Sequence, residues 1–378
     1  MTDVLVYGDT FRCPELRHEV TLGIPDPFLY AEVGGVRHVV IGAMEIARMS
    51  GLGLDELHPY EEFGSDELIA AGKTYAELRH EIPVRAVKAL GVSIATVPEG
   101  FPVWLADSLR AEGVELTAAD DVFDERRRVK TAAELAGIRR AQRAAEAGMD
   151  AARDLLRRAT PNGDALSVDG EALTVERIKT AMAQAFAANG TSADDFIVAP
   201  GPQGAVGHDM GSGPVRPGVP IVIDVWPRDN ETACFADMTR TFVVGDVPED
   251  VARWHSLCKQ ALDTAVAAIR DGARGRGVFD LTCDIFEAAG EPTQRTKEPG
   301  KTLSDGFFHG LGHGVGLEVH EQPGMGLASK EALRAGDVVT VEPGLYRQGY
   351  GGVRLEDLVL VTADGAENLT RYPYDLAP

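Results

Sequence analysis

Cysteine is scarce in this chain, and the residues that occur lie far apart, at Cys13, Cys234, Cys258 and Cys283. None belongs to a C-x-x-C pair, which argues against a zinc ribbon, and their wide spacing argues against a disulfide scaffold. We therefore expect free thiols in a reducing compartment, and with them a cytoplasmic location.

Signals for export, membranes and polyanions are missing as well. The first residues show no positively charged segment followed by a long apolar one, so no signal peptide is expected. No run of about 20 apolar residues occurs, so we expect no transmembrane helix. Basic residues number 37 against 59 acidic ones, a net charge of −22. That charge repels phosphate backbones and anionic lipids, so neither nucleic acid nor a membrane is an expected partner, whereas cations are compatible.

The 378 residues are 44% hydrophobic and 25% charged, which is typical of a globular protein and excludes disorder and collagen-like structure. This length predicts two or three domains. Short strand and helix patterns alternate over residues 1–125 and predict an α/β domain. The charge run at 124–130 predicts an exposed linker, and the second domain is therefore placed at 131–378.

Helices and paired strands are predicted in the second domain. Helical patterns cover 132–159, 170–189, 249–271 and 278–290. A capping box of Thr131 and Glu134 opens the first helix. Strand patterns fall in two pairs, 220–226 with 233–244 and 337–346 with 352–362. An antiparallel sheet with helices, and so an α+β class, is favoured.

Four carboxylates occupy paired positions in these strands. A hairpin folded between residues 230 and 231 would place Asp224 opposite Asp237, with Cβ atoms ~5 Å apart. A second hairpin, centred on Gly349, would place Glu342 opposite Glu356. Carboxylates this close repel each other unless a positive charge lies between them.

A glycine-rich segment adds three histidines, His309, His313 and His320. Taken singly, each of these acids and histidines could be a hydrogen-bonded core or surface residue. Buried charges must be paired or must coordinate metal, and only Arg354 is an obvious pairing partner in the sequence. Carboxylate oxygens with an imidazole suit Mn(II), Co(II), Fe(II) or Zn(II), and two ions could share four carboxylates.

The order Asp224, Asp237, His313, Glu342, Glu356 resembles the five metal ligands of the "pita-bread" metallopeptidases, which include methionine aminopeptidase, aminopeptidase P, prolidase and creatinase. The strings His-Gly-Leu-Gly-His-Gly-Val-Gly-Leu-Glu-Val-His, Val-Glu-Pro-Gly and Val-Arg-Leu-Glu-Asp are most similar to the proline-specific branch.

The resemblance is strong over 131–378, while the first 125 residues are similar to the creatinase-type N-terminal domain in size and α/β rhythm. It implies an α+β fold with a C-terminal pita-bread domain and a smaller N-terminal creatinase-like α/β domain.

The resemblance also implies a role for each ligand. Asp224 would bind one metal through both oxygens, and Asp237 and Glu356 would bridge two metals. His313 and Glu342 would complete the other metal site. Two divalent ions per chain are implied; manganese is favoured, and cobalt, iron and zinc are the alternatives.

Further catalytic roles follow from the same resemblance. His309 and His320 match histidines that contact the substrate, and His208 matches one near the scissile bond. Arg354 matches an arginine that supports a bridging carboxylate. A hydroxide bridging the metals would be the nucleophile, and Glu342 would move a proton to the leaving nitrogen. His320 and His208 would stabilise the tetrahedral intermediate.

The implied activity is hydrolysis of the Xaa-Pro bond at the N-terminus of short peptides, by an aminopeptidase or dipeptidase that forms a homodimer. One alternative is a lyase that cleaves a small zwitterion, such as a sulfonium propionate, on the same scaffold. A creatinase-like C–N hydrolase and a non-catalytic binding protein are the others. Both are disfavoured because all five ligand positions are intact.

Overall fold

The computed structural model describes residues 2–378. The chain divides into two compact units, one that ends at Arg127 and one from Arg128 to Pro378. Within residues 2–378, no helix combines the length and the apolar character that a membrane crossing requires.

The N-terminal unit is built on a six-stranded mixed sheet. Its strands are β1 (Asp3–Gly8), β2 (Phe28–Val33), β3 (Val36–Ile41), β4 (Glu56–Pro59), β5 (Ile94–Val97) and β6 (Glu115–Ala118). They follow the order β4-β3-β2-β1-β5-β6. The helices are α1 (Pro14–Glu19), α2 (Ala43–Met49), α3 (Ser65–Ala70), α4 (Tyr75–Ala89), α5 (Val103–Ala111) and α6 (Asp120–Arg128), whose last residue, Arg128, belongs to the second unit.

Both faces of this sheet carry buried apolar residues, because successive strand residues point to opposite sides. In β1, Leu5 belongs to one core cluster, whereas Val4 and Val6 belong to another. The predicted α/β character of this region therefore rests on helices that cover two apolar faces.

The charge run at 124–130 is not the exposed linker expected from the sequence. Most of it lies in α6, and the Arg128 side chain is 1% exposed. Arg128 donates through Nε and Nη2 to the two carboxylate oxygens of Asp337, at 3.0 and 2.7 Å. Asp337 is itself fully buried. The interpretation was wrong because the countercharge lies 209 residues further along the chain.

The C-terminal unit contains four long helices and several small sheets. The helices are α7 (Ala132–Arg158), α8 (Val175–Ala188), α9 (Glu249–Ala268) and α10 (Gly275–Ala288). The first strands are β7 (Thr160–Asn162), β8 (Ala165–Val168), β9 (Glu171–Ala172), β10 (Thr191–Ser192), β11 (Ile197–Pro200), β12 (Ile221–Val225), β13 (Arg228–Asp229) and β14 (Met238–Phe242). The later ones are β15 (Gly312–Gly314), β16 (Glu321–Met325), β17 (Val338–Val341), β18 (Gly344–Arg347), β19 (Gly351–Arg354), β20 (Asp357–Val361) and β21 (Ala366–Asn368).

The predicted helices are all present. Thr131 and Glu134 form both hydrogen bonds of the capping box that opens α7. The predicted helix at 170–189 begins later, at Val175, because Glu171–Ala172 pairs as β9 with β8. Thr174 then caps α8 by accepting a hydrogen bond from the backbone N–H of Arg177.

The first predicted hairpin forms with a different register. β12 pairs antiparallel with β14 so that Asp224 lies opposite Thr239, two residues beyond Asp237. The connection is longer than a tight turn, because β13 pairs with β10 inside it and Ala233 takes a positive φ of 66°. A shift of two residues preserves the face of the sheet, so Asp224 and Asp237 still point to the same side.

The second predicted hairpin has the predicted register. Val341 of β17 lies opposite Asp357 of β20, and Gly344 of β18 lies opposite Arg354 of β19. Both pairings are centred on Gly349. Glu342 and Glu356 fall in the gap between the two ladders, where the Glu342 N–H donates to Leu311 and the Glu356 N–H donates to Thr239.

Candidate metal centre

One cavity of about 570 Å³ collects every site residue predicted from the sequence. The predicted residues in its lining are His208, Asp224, Asp237, His309, His313, His320, Glu342, Arg354 and Glu356. They lie on separate strands and loops between residues 208 and 356, so the antiparallel sheets bring together groups that are distant in sequence.

The ligand-type atoms lie close together. One atom each from Asp237, His313 and Glu356 lies within 4.8 Å of the other two. The His313 Nε2 atom is 3.4 Å from Glu342 Oε1 and 3.7 Å from Asp237 Oδ2. This arrangement presents one imidazole nitrogen to three carboxylates.

Backbone contacts orient His313. Its Nδ1 atom is 3.1 Å from the carbonyl oxygen of Gly314, which can only accept, so Nδ1 carries the hydrogen and Nε2 keeps its lone pair. Histidines that bind metals typically donate their other ring N–H in this way. Burial lowers the pKa of His313 to about 4, which keeps the ring neutral and able to coordinate.

Two carboxylate oxygens in the cavity lack a partner. Asp224 Oδ1 and Asp237 Oδ1 are buried and accept no hydrogen bond among the residues that the structure describes. Buried polar atoms are rarely left unpaired, so each such atom calls for a ligand. A divalent cation would satisfy both.

The charges in the cavity also indicate a binding site for a cation. Burial raises the pKa of Asp237 well above its usual value, and three neighbouring carboxylates raise it further. Burial, followed by the charges of Asp224 and Glu342, likewise raises the pKa of Glu356. Burial raises the pKa of Glu342 to about 7. A cation among these groups would offset both the desolvation and the repulsion, so the donor set fits divalent metal.

Arg354 contacts a different carboxylate from the one expected. Its Nη2 atom donates to Asp224 Oδ2 at 2.6 Å, whereas a bridging carboxylate was predicted. It reaches the predicted bridging residue Glu356 only through Thr239, whose hydroxyl accepts from Arg354 Nε at 3.2 Å and donates to Glu356 Oε2 at 2.6 Å. Sequence reasoning missed Thr239. A correct prediction of the register of the first hairpin would have identified it, because Thr239 lies opposite Asp224.

Tyr346 is a second residue that sequence reasoning missed. Its hydroxyl accepts from Arg354 Nη1 at 2.8 Å and donates to His309 Nε2 at 2.9 Å. The other ring nitrogen of His309 donates to the Gly310 carbonyl at 2.7 Å. The Tyr346 ring packs against Gly352, where a Cβ would lie 2.2 Å from a ring carbon, so only glycine fits there.

His309, His208 and His320 occupy different positions in the cavity. Both nitrogens of His309 are engaged, so this ring can act as a fixed wall but not as a free donor. His208 and His320 are exposed residues on the cavity lining. The His320 ring lies 4.3 Å from the His313 ring, measured between centroids.

Residues 136–363, more than half of the chain, match the model of metallopeptidase family M24. The chain belongs to metallopeptidase family M24. This M24 chain is 31% identical to the Xaa-Pro dipeptidase of Pyrococcus furiosus over 263 residues, which cover 69% of this chain and 68% of that protein. It is 32% identical to the probable dipeptidase PepE of Mycobacterium tuberculosis over 293 residues, 76% and 70% of the two chains.

Solved structures support the same fold for this M24 chain. The prolidase from Pyrococcus furiosus matches with a TM-score of 0.76 at 22% identity, over 99% of this chain and 97% of that one. The dipeptidase PepE from Mycobacterium ulcerans matches with a TM-score of 0.76 at 26% identity, over 100% and 93%. The predicted family resemblance and the predicted pita-bread fold are confirmed.

The raised pKa values predict how pH affects the stability of the metal-free M24 chain. The folded chain holds protons on Glu342, Asp237 and Glu356 more tightly than the unfolded chain does, so it binds more protons above the ordinary carboxyl pKa of about 4.3. Their contribution to stability is complete below that pH and is lost as the pH rises through the folded pKa, about 7 for Glu342.

We therefore expect the metal-free chain to melt at a lower temperature at pH 8 than at pH 6. Adding Mn²⁺ should raise the melting temperature more at pH 8, because the ion then replaces fewer protons. Thermal unfolding with chelator and with metal at both pH values checks this. Equal metal-induced shifts at the two pH values would contradict it.

Proposed function

We propose that the chain is a dinuclear metal-dependent exopeptidase that hydrolyses the Xaa-Pro bond of short peptides. The observation that carries this proposal is the single cavity in which four carboxylates and His313 converge, with Asp224 Oδ1 and Asp237 Oδ1 buried and unpartnered. Membership of metallopeptidase family M24 supports the metal-dependent part.

The proposed ligands are those predicted from the sequence. Asp224, Asp237, His313, Glu342 and Glu356 would hold two divalent ions, with Asp237 and Glu356 shared between them. Manganese is the favoured metal because the donors are mainly carboxylate oxygens. Two such ions, when bound, supply a nucleophilic hydroxide near neutral pH and polarise the scissile carbonyl.

Glu342 is the residue that we assign to proton transfer. Its carboxylate lies on the cavity lining, with Oε1 3.4 Å from His313 Nε2, so it is placed to take up a proton from the nucleophile and return it to the substrate. Thr340 Oγ1, 3.5 Å from Glu342 Oε1, and the Glu342 N–H bond to Leu311 hold it in place. From this position it can pass a proton to the leaving nitrogen of the peptide bond.

His208 and His320 are assigned to the carbonyl oxygen of the substrate. Both lie on the cavity lining, and an imidazole N–H can donate to the oxygen as negative charge develops on it. His309 is assigned a different task. The bonds to Tyr346 and Gly310 fix its ring as a wall beside the bound peptide.

Apolar side chains complete the cavity and favour a proline ring. They are Met210, Trp226, Phe308 and Val319. Proline presents a compact apolar ring and a nitrogen without an N–H, so an apolar wall fits it without leaving a donor unpaired. The names of the similar proteins, Xaa-Pro dipeptidase and prolidase, agree with this specificity. A homodimer in the cytoplasm completes the proposal.

A matched panel of peptides tests the specificity. We expect the manganese-loaded chain to cleave short Xaa-Pro peptides and to show little action on the same peptides with alanine in place of proline. N-acetylation should suppress cleavage, because an exopeptidase needs the free α-ammonium group. Rates on free and acetylated Xaa-Pro and Xaa-Ala peptides, with and without chelator, measure all three effects.

The same panel separates the alternatives. Equal rates on the alanine series would indicate a general aminopeptidase. Full metal loading with no cleavage of any peptide would favour the lyase that acts on a small zwitterion, which an alkene-release assay on a sulfonium propionate would then test.

A further inference from the structure

A second cluster of ligand-type side chains lies in the N-terminal unit. β4 is an edge strand that pairs in parallel with β3, with His38 opposite Glu56 and Val40 opposite His58. Residues two apart on a strand point to the same face, so His38, Glu56 and His58 share one side of the sheet. The distance between His38 Nδ1 and His58 Nε2 is 3.1 Å.

Glu62 fixes the orientation of His58. Its Oε2 atom lies 2.7 Å from His58 Nδ1, so that nitrogen donates to the carboxylate. His58 Nε2 then keeps a lone pair that points toward His38. A carboxylate that accepts the far N–H of an imidazole is the usual partner of a metal-binding histidine.

The two imidazoles lie at a distance that suits a shared ion. Their ring planes differ by 25° and the facing nitrogens are 3.1 Å apart. Two nitrogens bound to one tetrahedral Zn²⁺ at about 2.0 Å are separated by about 3.3 Å. If the hydrogen of His38 moves from Nδ1 to Nε2, small rotations of the two rings would let a metal ion lie between the facing nitrogens.

The charges around the cluster favour a cation. Among residues 2–378, no lysine or arginine forms an ion pair with Glu56 or Glu62. Glu56 is exposed and Glu62 is half exposed, whereas the His58 side chain is 18% exposed. The cluster is thus open to solvent on the carboxylate side, which leaves an entry path for a hydrated ion.

We propose that His38 and His58 bind one exchangeable transition-metal ion, with Zn²⁺ as the best fit, that Glu62 positions His58, and that solvent completes the coordination. This site differs in chemistry from the candidate metal centre. Two imidazoles favour Zn(II), Cu(II) or Ni(II), whereas four carboxylates and one imidazole suit Mn(II).

Zinc titration of the full-length chain tests the proposal. The wild-type chain and the variants are first loaded with Mn²⁺ and then titrated with ZnCl₂ by isothermal calorimetry. We expect His38→Ala and His58→Ala each to bind about one Zn²⁺ fewer per chain than the wild type. Glu62→Gln should keep the site but weaken it by about 10–100-fold. His80→Ala, which removes an exposed histidine of the same unit, is the matched control and should bind like the wild type.

A second measurement uses the wild-type chain, in which neither His38 nor His58 is substituted. With isotope-labelled histidine, the imidazole resonances of His38 and His58 should shift as Zn²⁺ is added to the wild-type chain, while those of His80 should not. Unchanged zinc stoichiometry in both alanine variants, or unshifted resonances in the wild type, would overturn the proposal. Peptide hydrolysis by the His58→Ala chain should be unchanged, so either result leaves the proposed function unaffected.

Discussion

The Asp237→Asn chain is expected to lose both bound metal and peptidase activity. Asp237 contributes to the cluster in which Asp237, His313 and Glu356 place ligand atoms within 4.8 Å of one another. Its Oδ1 atom is buried without a partner, so a cation is the group best placed to satisfy it. Changing a residue that only supports a ligand typically costs about 10–100-fold, so loss of a shared ligand should exceed 10²-fold.

Elemental analysis after manganese loading, together with kcat/KM on an Xaa-Pro peptide, measures both effects. Asp246→Asn is a matched control, because Asp246 is an exposed aspartate that follows β14, the strand that Asp237 precedes. Its metal content and activity should match the wild type. Native metal content with a native rate in the Asp237→Asn chain would show that this aspartate has only a structural role.

The stability of the metal-free chains separates ligand loss from misfolding. Burial and the neighbouring carboxylates disfavour the charged form of Asp237, and a neutral amide removes that cost. The metal-free Asp237→Asn chain should therefore melt at or above the temperature of the metal-free wild type at pH 8. A much lower melting temperature would mean that the variant loses metal because it loses its fold.

The two hairpins show when strand register can be predicted from a local sequence pattern. The turn centred on Gly349 is short and glycine-rich, so its position fixed the register that brings Glu342 and Glu356 together. The connection between β12 and β14 includes pairing with β10, a strand outside the hairpin, and its register could not be derived from the turn. Asp224 and Asp237 still line the same cavity, because the error of two residues kept the same face of the sheet.

Residues that position the ligands were harder to predict than the ligands. Thr239 and Tyr346 are ordinary strand residues in the sequence, and each acts only through contacts with Arg354 and a residue on another element. Arg354 was recognised by resemblance, but its direct partner Asp224 lies 130 residues away. Such contacts depend on the packing of several sheets, which no local pattern in the sequence encodes.

The prediction of an exposed linker at 124–130 was wrong for the same reason. The buried arginine of this segment also gives the largest expected effect on stability. Arg128→Met should lower the free energy of unfolding by about 3–5 kcal/mol, because it leaves the buried Asp337 carboxylate without its cation. Arg128 Nη2 also donates to the Ala332 carbonyl at 2.8 Å, and that acceptor loses its bond as well. At about 2–4 °C per kcal/mol, the melting temperature should fall by about 6–20 °C.

Thermal and denaturant unfolding of the wild-type chain and four variants checks this prediction. Arg157→Met removes an arginine whose side chain is 50% exposed and paired with Asp154, and it should change stability by less than about 0.5 kcal/mol. Arg128→Lys keeps the charge but loses the two parallel hydrogen bonds to the carboxylate. Its free energy of unfolding should therefore lie between those of the wild type and Arg128→Met. The double variant Arg128→Met, Asp337→Leu removes both charges and should recover much of the loss, because the cost of the single change comes from the unpaired carboxylate. If the double variant were no more stable than Arg128→Met, the arginine would act through packing and its bond to Ala332, and the ion pair with Asp337 would contribute little.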